Sequence, residues 1–245
     1  MATVRRVATA DAIVAAAAKR SISHKHNQEP GPSRPGFLLA YTGSVIRTII
    51  FDLGRVLIPF DFERGYAQMA ARSGLTADEI RERIHASGVV PEYECGRIES
   101  GAFVRTIGKT LGVELSFDEF SRMWSSIFLP HTLVPEEFVV SLRRKYRMLL
   151  LSNTNELHYA ALRERYPILG HFDAYILSHE VKAMKPEAAI YEATLGQADA
   201  EPGECFFTDD MAPFVEGAKR HGIDAVQFQG YEKLREELTQ RGVSW

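Results

Sequence analysis

From Val45 onward, apolar and polar positions alternate between two rhythms. Short apolar runs stand in SVIRTIIFD, RMLLLSN, FDAYILS, ECFFTDD and DAVQFQ. Each is too brief for a helix and is bounded by polar residues or glycine, which predicts buried parallel strands. Between them, helical spacing with recognisable ends predicts helices over 155–165, 187–195, 213–221 and 231–241. Strand and helix in alternation imply an α/β fold, a Rossmann-like doubly wound parallel sheet.

About ninety residues between the first strand and RMLLLSN break this rhythm. They hold no convincing strand but several helix starts. TADE at Thr76 and SFDE at Ser116 are capping boxes, Ser100 precedes another helical stretch, and Pro135 suits a first turn before EEFVVSLRRKY. The expected division is therefore an α/β core over 45–62 and 134–245, with an inserted all-helical cap domain over 63–133. Tyr66, Met69, Phe103, Ile107, Phe117, Phe120, Trp124 and Phe128 recur at helical spacings and read as the core of that insertion. A helical block after strand one lies near the carboxyl ends of the strands, where open α/β sheets bind ligands.

Residues 1–44 have another composition. Asp11 is placed to cap an alanine-rich helix through Arg20, and HNQEPGPSRPG reads as linker, so a flexible N-terminal extension is expected. Six cationic against two anionic residues give this segment +4 and leave −7 on the remainder of a chain whose formal charge is −3. An arginine-rich, acid-poor start is compatible with a targeting segment, and equally with a dispensable extension.

The whole chain of 245 residues is 45% hydrophobic and 25% charged, which excludes wholesale disorder and a collagen-like repeat. A pI near 6.3 offers no basic field for a nucleic-acid partner. No apolar run is long enough for a membrane span. Two cysteines, Cys95 and Cys205, cannot build a disulfide framework, which suits a reducing, cytoplasmic location.

The candidate chemistry stands at strand ends. Asp52 closes the first strand; Ser152 and Asn153 close the second, where a hydroxyl and backbone amides can hold a tetrahedral anion. Lys185 precedes Pro186 at a helix entry, and Asp209 and Asp210 close CFFTDD. Two adjacent carboxylates repel and call for a cation, and hard oxygen ligands favour Mg²⁺, which Asp52 and Asp210 together are suited to hold. Taken singly, each residue reads as a cap or a turn. Their order at the ends of successive strands is what points to a site.

That order resembles the haloacid dehalogenase superfamily, through FDLGRVL, LLSNTN, KPEAAIY and FFTDDMAPFVEGA. The FDLG opening, YECGRIES, SNTNELH and MKPEAAIY are similar to bacterial α-D-glucose-1-phosphate phosphatases. The resemblance implies a Mg²⁺-dependent phosphatase of small phosphorylated metabolites, sugar phosphates such as glucose 1-phosphate among them. Asp52 would be the nucleophile forming an aspartyl-phosphate, and Ser152, Asn153 and Lys185 would cradle the phosphoryl group. The metal would be held by Asp52, the Gly54 carbonyl and Asp210, with Asp209 acting through water.

One position departs from the family pattern. Phosphatases of this kind carry a second Asp two residues after the nucleophile as general acid; here it is Gly54. General acid catalysis contributes about 10²–10⁴-fold, so turnover of poor leaving groups should be slow unless another group substitutes. Asp61, Glu94 and His85 are candidates, and Arg55 beside Gly54 reads either as a substrate contact or as a solvated cation. Met211 and Phe214 replace polar residues of the fourth motif, so an altered outer metal shell is expected. Glu94, Arg97 and Trp124 are the expected substrate contacts from the insertion. Two other readings stay open: a metal-independent dehalogenase, against which the Asp209–Asp210 pair argues, and a phosphometabolite-binding protein that has lost turnover.

Overall fold

A computed structural model describes residues 45–245; the expectations for 1–44 lie outside the described residues. All five expected strands are present: β1 (Thr48–Phe51), β2 (Arg147–Ser152), β3 (Ala174–Leu177), β4 (Cys205–Asp209) and β5 (Asp224–Gln227). They form one parallel sheet in the order β3-β2-β1-β4-β5. β1 begins three residues later than its apolar run, because Val45 is exposed and only from Thr48 onward do both neighbours pair with it.

The helices are α1 (Phe62–Ser73), α2 (Ala77–Ser87), α3 (Val89–Glu94), α4 (Ser100–Leu111), α5 (Phe117–Trp124), α6 (Glu136–Arg143), α7 (Glu156–Arg165), α8 (Ser178–Val181), α9 (Ala188–Ala198), α10 (Ala212–Arg220) and α11 (Tyr231–Gln240). Successive residues of β1 face opposite sides of the sheet, as the strand period requires. Ile49 and Phe51 pack with Met148, Leu150 and Phe206 against Val139, Leu162 and Leu238 of α6, α7 and α11. Ile50 packs with Leu149, Leu151 and Phe207 against Ile190, Tyr191 and Val215 of α9 and α10. The sheet is thus covered on both faces, the doubly wound arrangement that the alternation implied.

α9 runs three residues beyond its expected end. Gly196 lies inside the helix: Ala198 is fully buried and its carbonyl accepts the Thr48 hydroxyl at 2.7 Å, so tertiary burial outweighs the local cost of glycine.

The insertion, α1 to α5, has its own apolar centre, in which Met69, Ile80, Tyr93, Phe103, Ile107, Phe120 and Trp124 meet. Thr76 and Glu79 complete a reciprocal capping box at 3.3 and 2.8 Å. At α5 only half of the expected box forms: Ser116 accepts the Glu119 amide at 3.2 Å, but the Glu119 carboxylate pairs with Arg72 at 2.8 Å instead. Two members of the apolar stripe lie elsewhere. Phe117 is exposed at the start of α5, and Phe128 packs in the α/β core. Ile127 joins Phe128 there, and Leu129 and Leu133 donate to Pro59 and Leu57 at 3.0 and 2.8 Å. The chain therefore re-enters the core by Ile127, ahead of residue 134.

Candidate active site

The sheet order decides where the strand ends meet. After β3 the chain crosses back over β2 and β1 to add β4, so the winding direction reverses between β1 and β4, where doubly wound sheets open a crevice. Asp52 stands one residue past β1 and donates its amide to Thr208 at 3.0 Å, which sets it level with Asp209 of β4. Asp52 is 6% exposed and Asp209 is fully buried.

Lys185 joins them. Its Nζ donates to Asp52 Oδ1 at 2.6 Å, to Asp209 Oδ2 at 2.5 Å and to the Leu151 carbonyl at 3.2 Å, one acceptor from the end of each of three adjacent strands. The loop carrying Lys185 is registered by Asn153, whose side chain accepts the Lys185 amide at 2.8 Å and donates to its carbonyl at 3.1 Å. Asn153 thus positions the lysine through its side chain. The rings of Phe214 and Phe207 stand 5.1 and 5.6 Å from the ammonium. Phe214, an oddity of the fourth motif in sequence, is an apolar wall for this cation. Met211 contributes its backbone instead, donating its amide to Asp209 Oδ1 at 2.8 Å.

The site carries excess negative charge. Oxygens of Asp52, Asp209 and Asp210 all lie within 4.8 Å of one another, with Lys185 as the shared cation. Burial, opposed by Lys185 and reinforced by Asp209 and Asp210, pushes the Asp52 carboxyl up to about 7. Burial and the neighbouring Asp209 push Asp210 up to about 6. Burial works against the Lys185 ammonium, but Asp209 and Asp52 more than offset it and hold that group above its ordinary range. Three converging hard oxygen donors with more negative charge than one lysine balances fit Mg²⁺. Ser152 is 2% exposed at the end of β2, and its hydroxyl takes no protein partner among the described residues.

Gly54 sits in a tight loop pinned by the Arg55 amide to the Ile58 carbonyl at 2.9 Å. A Cβ at Gly54 would meet Phe60 Cε1 at 2.8 Å, so the ring occupies the room that a side chain there would need. Arg55 holds a left-handed backbone, φ 57°, and its guanidinium lies 4.8 Å from the same ring.

The insertion's candidates are dispersed. Glu94 ends α3, and burial alone pushes its carboxyl up to about 7; the side chain has no partner among the described residues. Arg97 is exposed and pairs with Glu92 at 2.9 Å, a solvated ion pair. Trp124 stacks between Phe120 at 5.5 Å and His158 at 5.1 Å within the apolar centre of the insertion, which is where an aromatic at helical spacing gains most by burial. Asp61 spends its carboxylate on the Glu63 amide as the cap of α1, and His85 is exposed in the last turn of α2; neither joins the carboxylate cluster.

Sequence reading missed the groups that dock the insertion. Ser178, fully buried, shares its one hydroxyl proton between the Glu94 carbonyl at 2.6 Å and the Thr154 carbonyl at 2.9 Å, and accepts the Thr154 amide at 2.9 Å. Lys182 donates to the Gly96 carbonyl at 2.5 Å; a Cβ at Gly96 would lie 2.0 Å from the His179 carbonyl, and its φ is 62°. Ser100 bonds both Tyr93, at 2.7 Å, and Glu156 of α7. His158 is buried, bonded to the Trp124 carbonyl at 3.0 Å, and burial pushes its pKa down to about 4. Only Gly96, in YECGR, carried a local signal.

Comparison with known proteins agrees with this geometry. Residues 46–222 match the haloacid dehalogenase-like hydrolase family. D-ribitol-5-phosphate phosphatase of Bacteroides thetaiotaomicron is 28% identical over 202 residues, 80% of this chain and 98% of that protein. A crystal structure of a haloacid dehalogenase family enzyme from the same organism superimposes with a TM-score of 0.71 at 27% identity, covering 80% of this chain and 99% of the other. That enzyme in complex with magnesium and inorganic phosphate gives 0.67 at 29% identity, over 74% and 93% of the two chains.

Proposed function

The chain belongs to the haloacid dehalogenase-like hydrolases, and from that premise we propose that it is a Mg²⁺-dependent phosphatase of small phosphorylated sugars or sugar alcohols. The observation that carries this reading is the buried Asp52 at the central strand end, bound through Lys185 to Asp209 and within reach of Asp210. The resemblance to a sugar-alcohol phosphatase over 80% of the chain supports the substrate class. A metal-independent dehalogenase would have no use for three converging carboxylates with one lysine between them.

In this mechanism an Asp52 carboxylate oxygen attacks phosphorus in line. The new oxygen–phosphorus bond forms as the bond to the sugar oxygen breaks, giving an aspartyl-phosphate that water then hydrolyses. Bound Mg²⁺, held by Asp52, Asp210 and the Gly54 carbonyl, would neutralise charge on the phosphoryl oxygens. Asp209 keeps Lys185 in place. Lys185 holds Asp52 in its attacking position and, with the Ser152 hydroxyl and the Asn153 backbone amide, offsets the transferring group's charge. Burial of this cluster strengthens each of these interactions relative to water. Glu94 at the end of α3 is the insertion residue best suited to a sugar hydroxyl, since its carboxyl is otherwise unpartnered. With no acid at Gly54, an anomeric phosphate such as glucose 1-phosphate, whose leaving group is better than a simple alkoxide, is a chemically favoured substrate.

The test is phosphate release from glucose 1-phosphate, ribitol 5-phosphate and an aryl phosphate, with Mg²⁺, with chelator, and with Asp52→Asn. Release that requires both Mg²⁺ and Asp52 is expected. Absence of release from every ester, with Mg²⁺ still bound, would move the reading to a binding protein.

A further inference from the structure

Resting on the phosphatase reading above, in which Asp210 is a metal ligand, we propose that Gln227 is a positioning residue for that ligand. Its side-chain amide fixes the main chain at Asp210 and so holds the carboxylate ready for a divalent cation. Gln227 lies outside all four sequence motifs of the site.

The two aspartates at the end of β4 are held differently. Asp209 is fully buried and spends both carboxylate oxygens inside the protein, Oδ2 on Lys185 at 2.5 Å and Oδ1 on the Met211 amide at 2.8 Å. Asp210 stands one residue beyond the strand and is half-buried. Its main chain is held from β5, which pairs with β4 and sets Gln227 opposite Asp209.

Two donors at the end of β5 take the two consecutive carbonyls of the pair. The Phe228 amide donates to the Asp209 carbonyl at 2.9 Å, and Gln227 Nε2 donates to the Asp210 carbonyl at 2.8 Å. Any residue but proline at 228 can supply the first bond, whereas the second needs a side-chain N–H with the reach of glutamine. Gln227 is exposed at the end of a four-residue edge strand, so burial supplies no other reason for this side chain.

Like-charge repulsion gives the bond its role. Oxygens of Asp52, Asp209 and Asp210 lie within 4.8 Å of one another, and the Lys185 ammonium bonds only the first two. Asp210 is the most exposed of the three, and repulsion drives it toward solvent. Without Gln227 the peptide group after Asp210 can turn its carbonyl to water and carry the carboxylate off the cluster. With Gln227 in place the three groups are gathered beforehand, so the work of bringing like charges together is done in folding and not at binding.

The experiment is calorimetric titration of the metal-free full chain with magnesium chloride, for the parent, Gln227→Met, Gln227→Ala and Asp210→Asn, with melting curves of each before metal is added. Met keeps the length of the side chain without the donor, and Ala removes both. Groups that orient a metal ligand contribute about 10–100-fold in affinity. Gln227 acts through one carbonyl near the surface, so both Gln227 variants should raise the Mg²⁺ Kd about tenfold, the lower end of that range. Their metal-free melting temperatures should stay within about 2 °C of the parent, as for an ordinary surface substitution. Asp210→Asn should abolish measurable binding. A Kd unchanged in both Gln227 variants, or one raised together with a metal-free melting temperature lowered by more than about 5 °C, overturns the assignment and leaves the phosphatase reading intact. Binding by Asp210→Asn as tight as by the parent, or no binding by the parent, removes the metal role of Asp210 and the role of Gln227 together.

Discussion

Replacing Lys185 by Met is the sharpest test of how the site is built. The ammonium is 3% exposed and joins two carboxylates, Asp52 at 6% and Asp209 at 0% exposure, through bonds of 2.6 and 2.5 Å. Met fills much of the same volume, so the loss is of charge and hydrogen bonds more than of packing. Removing one partner of a buried ion pair costs about 3–5 kcal/mol, because the remaining charge has neither water nor counter-ion. For a chain of this size, each kcal/mol moves the melting temperature by roughly 2–4 °C, so a fall of about 6–20 °C is expected at pH 8 without metal. The sign of the pH dependence follows. Asp52 already titrates near 7 in the folded protein against an ordinary 3.8, so its ionisation between those values destabilises the fold as pH rises. Without Lys185 its carboxyl rises further, and protonation at pH 5 relieves the repulsion. The deficit of the variant should therefore shrink from pH 8 to pH 5. Thermal unfolding followed by circular dichroism at both pH values decides it, and a deficit below about 3 °C at pH 8, or one that grows toward pH 5, refutes the reasoning.

Other outcomes follow from the same geometry. Gly54→Ala places a methyl group 2.8 Å from Phe60 Cε1 and should cost about 1–3 kcal/mol in denaturant unfolding; Phe60→Leu in the same chain should recover part of it, and no recovery would mean that the ring is not the obstacle. Ser178→Ala removes a buried hydroxyl that bonds Glu94 and Thr154 and should destabilise by about 1–3 kcal/mol; hydrogen exchange should accelerate at 93–97 and 153–155, and unchanged exchange there would deny Ser178 its docking role. His158, neutral in the fold with its pKa depressed from 6.5 to about 4, contributes stability that is present above pH 6.5 and lost as pH falls to about 4. His158→Gln should flatten the stability profile across that window, and an unaltered slope would show that protonation of this ring does not drive it.

The strand and helix pattern was legible because it is local. Short apolar runs and capped stretches of period 3.6 depend only on neighbours along the chain, and β1 to β5, α7, α10 and α11 fall close to where that pattern placed them, with α9 three residues longer and the short α8 not foreseen. Asp52, Ser152, Lys185, Asp209 and Asp210 were likewise visible one by one at strand ends. What the chain could not show is which ends touch. Asp52 and Lys185 are 133 residues apart and meet because β1 lies between β2 and β4, a consequence of long-range pairing that no local signal encodes. Burial was equally a tertiary decision: the same aromatic spacing sends Phe120 and Trp124 into the centre of the insertion, Phe128 into the α/β core and Phe117 to solvent. At Gly54 the sequence showed a missing acid, and only packing showed that Phe60 stands in its room with Arg55 above it. Sequence pattern thus determined the elements and the kinds of chemical groups at their ends. Contacts between distant segments decided which groups are desolvated together, and so which of them can share a proton, a metal or a substrate.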